Sequence, residues 1–160
     1  MSNLDKYFLF TVRVLIGWTF LYAASHQVFN PGFSVTGFLG TAKTFHGFFS
    51  IFTGPVMAPL TTFLVSYGHL AIGLSLIFGC LVRVSAPCGA AVLFMYWMAH
   101  MDFPYISDHN NFIIDYHIIY GVVLVYLSAK SAGRYWGLDG FIAETPYFHS
   151  HPGTRKIFAA

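Results

Sequence analysis

The chain has 160 residues, of which 56% are hydrophobic and only 9% are charged. Soluble globular domains carry about 25% charged residues, so this composition excludes an ordinary soluble domain and indicates a protein of the lipid bilayer. The formal net charge is +2, and the sequence contains no basic stripe, so nucleic acid is not expected as a partner.

Four apolar segments, which together account for almost half of the chain, predict transmembrane helices. Each is close to the roughly 17–25 residues that cross a bilayer as an α-helix. The segments are residues 7–24, 60–81, 84–101 and 112–129. They predict an all-α integral membrane fold, a bundle of four transmembrane helices in one domain over residues 1–160, with a cytoplasmic tail over 130–160.

The first segment is also similar to a secretory signal peptide, because Ala23, Ala24 and Ser25 resemble a cleavage site. Arg13 interrupts what would be the hydrophobic region of such a peptide. We therefore expect a retained first helix.

The distribution of Lys and Arg predicts the orientation in the membrane. If the N-terminus lies inside, the outer loops hold only Lys43. The positive-inside rule then places both termini in the cytoplasm of a multi-pass protein of the cell inner (cytoplasmic) membrane. The basic residues on the inner flanks are Lys6, Arg83, Lys130, Arg134, Arg155 and Lys156.

The long segment between the first two apolar runs has a helical repeat of its own. Its apolar side chains recur at a helical period, which predicts an amphipathic interfacial helix lying on the outer membrane surface. A lid packed on the bundle is the alternative. The residues that form the repeat are Phe38, Ala42, Phe45, Phe49 and Phe52.

The second and third apolar segments form a tight helical hairpin in this prediction. Small residues such as Gly68 and Gly73 on the second segment predict close packing against a neighbouring helix. Ser85 is a candidate N-cap for the third helix.

Polar and ionisable residues gather at the predicted outer face. A charge inside hydrocarbon costs about 2.5–3.5 kcal/mol on insertion scales, so such a group usually has a partner or a function. His69 is expected deeper in the bundle, and Arg13 in the inner half, where it would reach toward the cytoplasmic interface. The outer group comprises His26, Gln27, His46, His100, Asp102, Asp108, His109, Asp115 and His117.

Asp115 and His117 open the last apolar segment. On a helix, residues two apart point about 160° from each other, so these two are not expected to ligate one metal ion. His117 would share its face with Tyr120. Asp115 would lie where the helix dipole favours a negative charge, and a purely structural partnership with a nearby His or Arg is the alternative. Candidate caps for this helix are Asp108, Asn110 and Asn111.

Tyr96 and His100 lie four residues apart on the third apolar segment, beside Trp97. Tyr and Trp near a membrane surface are ordinary belt residues. Aromatic rings next to a histidine also suit a quinone headgroup, which stacks on the rings and takes a hydrogen bond from imidazole.

Metal and haem sites receive little support from the sequence. It contains neither an HExxH motif nor a pair of CxxC motifs. Haem is disfavoured because no pair of histidines is marked out for ligation. A surface metal site in the outer loop is the remaining option, although such loop sets are common without metals. It would use His100, Asp102, Asp108 and His109, and we assign no metal ligand.

Both ends of the chain resemble the DoxX/DoxD family. The similar runs near the start are RVLIG, FLYAA and NP at residues 13–17, 20–24 and 30–31; those near the end are DYHIIY and AGRYWGLD at residues 115–120 and 132–139. The resemblance implies a small four-helix membrane protein related to the membrane subunit of a thiosulfate:quinone oxidoreductase. Where the family commonly has a lysine after the first helix, this chain has Gln27.

The function we expect is that of a quinone-interacting membrane subunit in a thiosulfate:quinone oxidoreductase-like redox system. No redox centre is evident in the sequence, so an electron-donating partner is expected. The alternative is a non-catalytic structural or accessory subunit, associated with other membrane subunits or with copies of itself. The residues expected to act in catalysis are Asp115, His117, His100 and Asp102, and those expected to bind the quinone are Trp97, Tyr96, Tyr120, His69 and Arg13.

Overall fold

The computed structural model describes residues 1–158, without the side chains of Asp108 and Ile157. The described chain is mostly helical. The helices are α1 (Asn3–Val28), α2 (Val35–Leu39), α3 (His46–Phe49), α4 (Met57–Phe78), α5 (Val82–Ala99), α6 (Tyr116–Ala129), α7 (Leu138–Ala143), α8 (Pro146–Ser150) and α9 (Pro152–Phe158). Short 3₁₀ turns span Ser50–Thr53 and Ala132–Arg134, and a small antiparallel sheet is formed by β1 (Met101–Asp102), β2 (Tyr105–Ile106) and β3 (Asp108–Phe112).

Three helices in the described part of the chain are long and apolar enough to cross a membrane, namely α1, α4 and α5. The fourth expected span is shorter than predicted, because α6 has 14 residues and begins at Tyr116. At 1.5 Å per residue it is about 21 Å long, against roughly 30 Å of hydrocarbon. Phe112 instead pairs with Tyr105 in the small sheet, which keeps residues 112–115 out of the helix.

Close packing joins α1 to α4, while α5 packs on α6. A Cβ added at Gly73 would lie 2.7 Å from the backbone nitrogen of Leu21, and one added at Gly17 would lie 2.9 Å from Cβ of Leu76. The predicted close approach of the small-residue helix is therefore found at Gly73. Gly68 on the same helix has nothing within 4 Å.

The segment between α1 and α4 is a lid, which we define as residues 33–53. Its helical turns are α2, α3 and the 3₁₀ turn, and their apolar side chains are buried against Ala99 and its neighbours on α5. The expected single interfacial helix is thus wrong, and the alternative of a lid packed on the bundle fits the structure. The buried lid residues are Val35, Leu39, Ala42 and Phe49.

The break in the lid is caused by its bonds to the small sheet. The Thr44 N–H donates to the Met101 carbonyl at 3.1 Å, and the Phe103 N–H donates to the Thr44 hydroxyl at 2.8 Å. Lys43 forms an exposed ion pair with Asp102 at 2.5 Å. Residues 40–45 leave the helical path to make these contacts. We call this end of the bundle the sheet end, and the opposite end, with residues 130–158, the tail end.

At the tail end, Asp139 caps a helix that is distant in sequence. Its carboxylate accepts the N–H of Leu81 at 2.6 Å and that of Val82 at 3.1 Å, while its own N–H donates to the Gly79 carbonyl at 2.8 Å. Burial raises the pKa of the Asp139 carboxyl, and these N–H groups oppose the rise. Because Asp139 starts α5 at Val82, Ser85 lies within the first turns of that helix rather than at its cap.

Arg13 is fully buried at the tail end. The prediction that its side chain reaches the membrane interface is therefore wrong. Its guanidinium donates to the carbonyls of Ala132 at 2.7 Å, Trp136 at 3.2 Å and Tyr135 at 3.3 Å. The Ala132 carbonyl also accepts the Tyr135 N–H at 3.3 Å, so the buried guanidinium adds donors to carbonyls that the bends around the 3₁₀ turn present to it. The expected tail is therefore fastened to the bundle over the residues described; residues 159–160 lie outside them.

Candidate functional site

A cavity of about 530 Å³ opens at the sheet end, with walls from α1, α4, α5 and α6. Pockets for small molecules commonly enclose about 300–1,000 Å³, so this cavity has room for one. Its polar and aromatic walls include the histidines His69, His100 and His117 and the tyrosines Tyr96, Tyr116 and Tyr120.

The Asp115 carboxylate holds His117 against one wall of this cavity. Asp115 is the N-cap of α6, with extended backbone (φ −131°). One carboxylate oxygen accepts the His117 N–H at 3.0 Å, and the other lies 2.6 Å from Nδ1 of the ring. Both residues are 5% exposed. The expectation that they would diverge by about 160° is wrong, because Asp115 lies outside the helix and its side chain folds back over the first turn.

His100 lies beside His117 in a stack of rings. The two ring centroids are 5.2 Å apart, with the planes tilted by 26°. Tyr96 is nearly parallel to His117, at 6.0 Å and 9°. Phe38 of the lid covers His100 at 4.7 Å. The lid and α5 therefore supply flat apolar faces next to two imidazoles.

His69 approaches the cavity from α4. Its Nδ1 lies 2.6 Å from the Val65 carbonyl, and its ring packs between Phe20 at 5.4 Å and Tyr96 at 5.5 Å. A carbonyl only accepts, so Nδ1 carries the proton and Nε2 is the atom left for a ligand.

The same reasoning applies to the other two imidazoles. The His100 Nδ1 lies 2.9 Å from the Tyr96 carbonyl, and the His117 Nδ1 faces the Asp115 carboxylate. Each ring can therefore offer Nε2, as an acceptor when neutral and as a donor when protonated. At His117 burial disfavours the protonated ring, and the Asp115 carboxylate opposes this effect, as in acid–base pairs of His with Asp. The site can therefore hold and transfer a proton.

Six residues that line the cavity were not assigned to the site from sequence, and Tyr116 and Gln27 are two of them. Tyr116 stacks on the His117 ring at 4.1 Å. Gln27 places its Oε1 in a buried position without a hydrogen-bond partner. In the sequence, Gln27 is an amide at the end of an apolar helix, and Tyr116 is an aromatic residue adjacent to His117. Neither pattern indicates that the side chain faces a cavity.

Several expected site residues lie elsewhere. Trp97 donates from Nε1 to the Ile113 carbonyl at 2.8 Å and stacks on Phe94, so it is not part of the cavity wall. Asp102 is exposed and paired with Lys43. Arg13 lies at the tail end, bound to tail carbonyls. The structure thus brings together the expected Asp115, His117, His100, Tyr96, Tyr120 and His69 and leaves out these three.

Within residues 1–158, apart from the side chains of Asp108 and Ile157, no group of three or more His, Cys, Asp or Glu is placed to hold a metal ion. Two members of the surface set considered above have other contacts: the His109 ring packs on Tyr105 at 4.6 Å, and Asp102 binds Lys43. The Asp108 side chain lies outside the described residues.

A known protein family matches the first part of the chain. The DoxX family model matches residues 8–101, from α1 to β1. No curated protein and no solved structure matches the chain. The matched part includes Gln27, His69, Tyr96 and His100 and ends before Asp115. Since the match covers more than half of the sequence, this chain belongs to the DoxX family.

Proposed function

We propose that this protein is a membrane redox subunit that binds a quinone headgroup in the sheet-end cavity. The observation that carries the proposal is the buried His117–Asp115 pair, held at 2.6 Å in a wall that also presents stacked aromatic rings. Such a wall offers both a flat surface for a ring and a proton for its oxygen.

A quinone matches this surface in shape and chemistry. Its ring is flat and apolar on both faces, and Tyr96, Tyr116 and Tyr120 supply aromatic partners around the cavity. Its carbonyl oxygens accept hydrogen bonds, which protonated imidazoles and tyrosine hydroxyls donate. The cavity volume of about 530 Å³ is ample for one substituted ring.

Quinone reduction takes up two electrons and two protons. In this proposal, His117 delivers one proton from Nε2 while Asp115 stabilises the protonated ring beforehand, and His100 delivers the other. The electrons come from a partner protein. If the donor is a sulfur compound such as thiosulfate, we assign its oxidation to that partner, because neither Lys nor Arg is among the described residues that line this cavity.

The test is direct binding to purified protein in lipid nanodiscs. Decylubiquinone would be titrated while protein fluorescence is recorded, first with the unmodified chain and then with His117→Gln and His100→Gln. Each variant should bind at least about 10-fold more weakly, the loss of one charge-assisted hydrogen bond. His26→Gln is the matched control, since His26 is exposed and lies outside the lining. Absence of binding by the unmodified protein would refute the proposal.

A second candidate function is that of a non-catalytic subunit in a larger membrane complex. The observation that favours it is the outer face of α6, where Ile119, Val122 and Val125 are 56%, 65% and 56% exposed on a helix of only 14 residues. Such a face suits a neighbouring helix as well as lipid. Isolation in a stable stoichiometric complex, with no quinone binding by that complex, would favour this function.

For orientation, we propose that the tail end faces the cytoplasm of the inner membrane. The exposed basic side chains Arg134 and Lys156 lie at that end, as the positive-inside rule requires. A cysteine placed at Ser150 should resist an impermeant thiol reagent in intact cells, and one placed at Thr53 should react. The reverse pattern would overturn this orientation.

A further inference from the structure

A second cavity, of about 240 Å³, lies beneath the lid, between α4 and α5. Its walls come from the lid residues Val35, Leu39 and Phe49, from Val65 on α4, and from Met95 and Ala91 on α5. Almost every atom of this lining is apolar. A polar group placed there would lose its hydrogen bonds to water without replacement, so the cavity selects hydrocarbon.

The two cavities meet at a pair of aromatic rings. Tyr96 lines both of them, and Phe38 lines the apolar cavity while its ring stacks on Tyr96 at 5.2 Å and contacts His100 at 4.7 Å. These rings separate the headgroup cavity from the apolar one. A substituent on a ring bound beside His100 needs to pass one layer of side chains to enter the second cavity.

The apolar cavity also has a route to the membrane. Ala91, which lines it, is exposed on the surface of α5, one of the helices that can cross a bilayer. Because its side chain is only a methyl group, it blocks little of the opening at this edge of the cavity. A chain longer than the cavity can therefore continue past Ala91 into lipid.

We propose that the ligand is a quinone with a long apolar tail, and that the first part of the tail lies in the cavity between the lid and Val65, leaving past Ala91. This inference rests on the proposed function, since it assumes that the headgroup occupies the cavity with His117. It narrows the ligand from any small quinone to a membrane quinone, and it explains the position of the lid, which forms the roof over the tail.

The experiment compares two probes that share a headgroup. One is decylubiquinone, and the other is the same benzoquinone ring without a tail. In the unmodified protein the decyl probe should bind about 100-fold more tightly, as expected for burial of a few methylene groups. Ala91→Phe should remove most of that gain by blocking the edge of the cavity, and Thr61→Phe, from the α4 wall, should act in the same way.

Ala71→Phe is the matched control, because Ala71 is exposed on α4 and lines neither cavity. It reports any general effect of an added aromatic ring, and all variants share the partition of the decyl probe into lipid. The expected result is that Ala91→Phe and Thr61→Phe weaken decylubiquinone at least about 10-fold more than they weaken the tail-less ring, while Ala71→Phe changes neither.

The remaining outcomes overturn the inference in distinguishable ways. If both probes bind and the two cavity variants leave decylubiquinone unaffected, the tail lies in the bilayer and only this inference fails. If the variants weaken both probes equally, they disturb the headgroup cavity and the tail site is again refuted. If neither probe binds to the unmodified protein, the proposed function fails as well.

Discussion

Asp115 binds His117 at two points, accepting its backbone N–H at 3.0 Å with one oxygen and contacting its ring nitrogen Nδ1 at 2.6 Å with the other. The same carboxylate thus starts α6 and fixes the orientation of the imidazole. Structure and chemistry at this residue are separable, because the first role needs only an oxygen and the second needs a negative charge.

Asp115→Asn should separate these two roles. The Asn amide oxygen can still accept the His117 N–H, and Asn is as good an N-cap as Asp, so the thermal midpoint should change little. The amide cannot stabilise a protonated imidazole, so decylubiquinone affinity should fall about 10-fold. Asp102→Asn, at an exposed carboxylate, is the control. A large loss of thermal stability with unchanged affinity would contradict this division.

Gly73→Ala should loosen the packing of α1 on α4. The added methyl would lie 2.7 Å from the Leu21 nitrogen, which belongs to a helix backbone and cannot rotate away. We expect a loss of about 1–3 kcal/mol in the free energy of unfolding, measured by denaturation in detergent. Gly68→Ala has open space at the same helix and should be neutral or stabilising by about 0.5–1 kcal/mol. Equal effects of the two changes would refute this account of the helix contact.

Arg13→Met should destabilise the fold through the tail end. The substitution keeps a long apolar stem but removes the donor from the carbonyls of Ala132, Tyr135 and Trp136. A loss of about 2–4 kcal/mol is expected, together with faster proteolysis of the tail. Arg134→Met is the control, since Arg134 is exposed. Quinone affinity should remain nearly unchanged in the folded fraction, because Arg13 is remote from the cavity; a selective loss of affinity would restore its expected role at the site.

Asp139→Ala should destabilise α5 even though the two lie far apart in sequence. It leaves the N–H groups of Leu81 and Val82 without the carboxylate, at a cost of about 1–3 kcal/mol. Asp102→Ala also removes a carboxylate, but from an exposed ion pair with Lys43, and should cost less than about 1 kcal/mol. Thermal unfolding of the two variants side by side gives the comparison, and a smaller effect at Asp139 would contradict its role as a cap.

The apolar helices could be predicted from sequence because their pattern is local. The expected span at 84–101 is found as Val82–Ala99, and the one at 60–81 as Met57–Phe78. The grouping of His100 and His117 followed from their positions near the same ends of neighbouring apolar segments. These inferences need only hydropathy and alternating direction.

The errors arose where a contact distant in sequence overrides a local pattern. The lid repeat is helical in period, but the bonds of Thr44 to the small sheet break it. Ser85 is a suitable N-cap by its sequence position, but the Asp139 carboxylate accepts the N–H of Leu81, and α5 begins before Ser85. Asp115 departs from a helical projection for a different reason, because it caps α6 and its own backbone lies outside the helix. Hydrogen bonds between side chains and backbone groups far apart in sequence produce no periodic pattern from which they could be predicted.

The contacts of Arg13 and Asp139 also determine where the foldable unit ends. A polypeptide that ends after α6 would retain all of the residues matched by the family model. It would, however, leave the buried Arg13 guanidinium without its carbonyl acceptors and the turn between α4 and α5 without the Asp139 carboxylate. Reporter fusions and deletion series should therefore leave the chain intact through α7, because the residues after the bundle complete its interior.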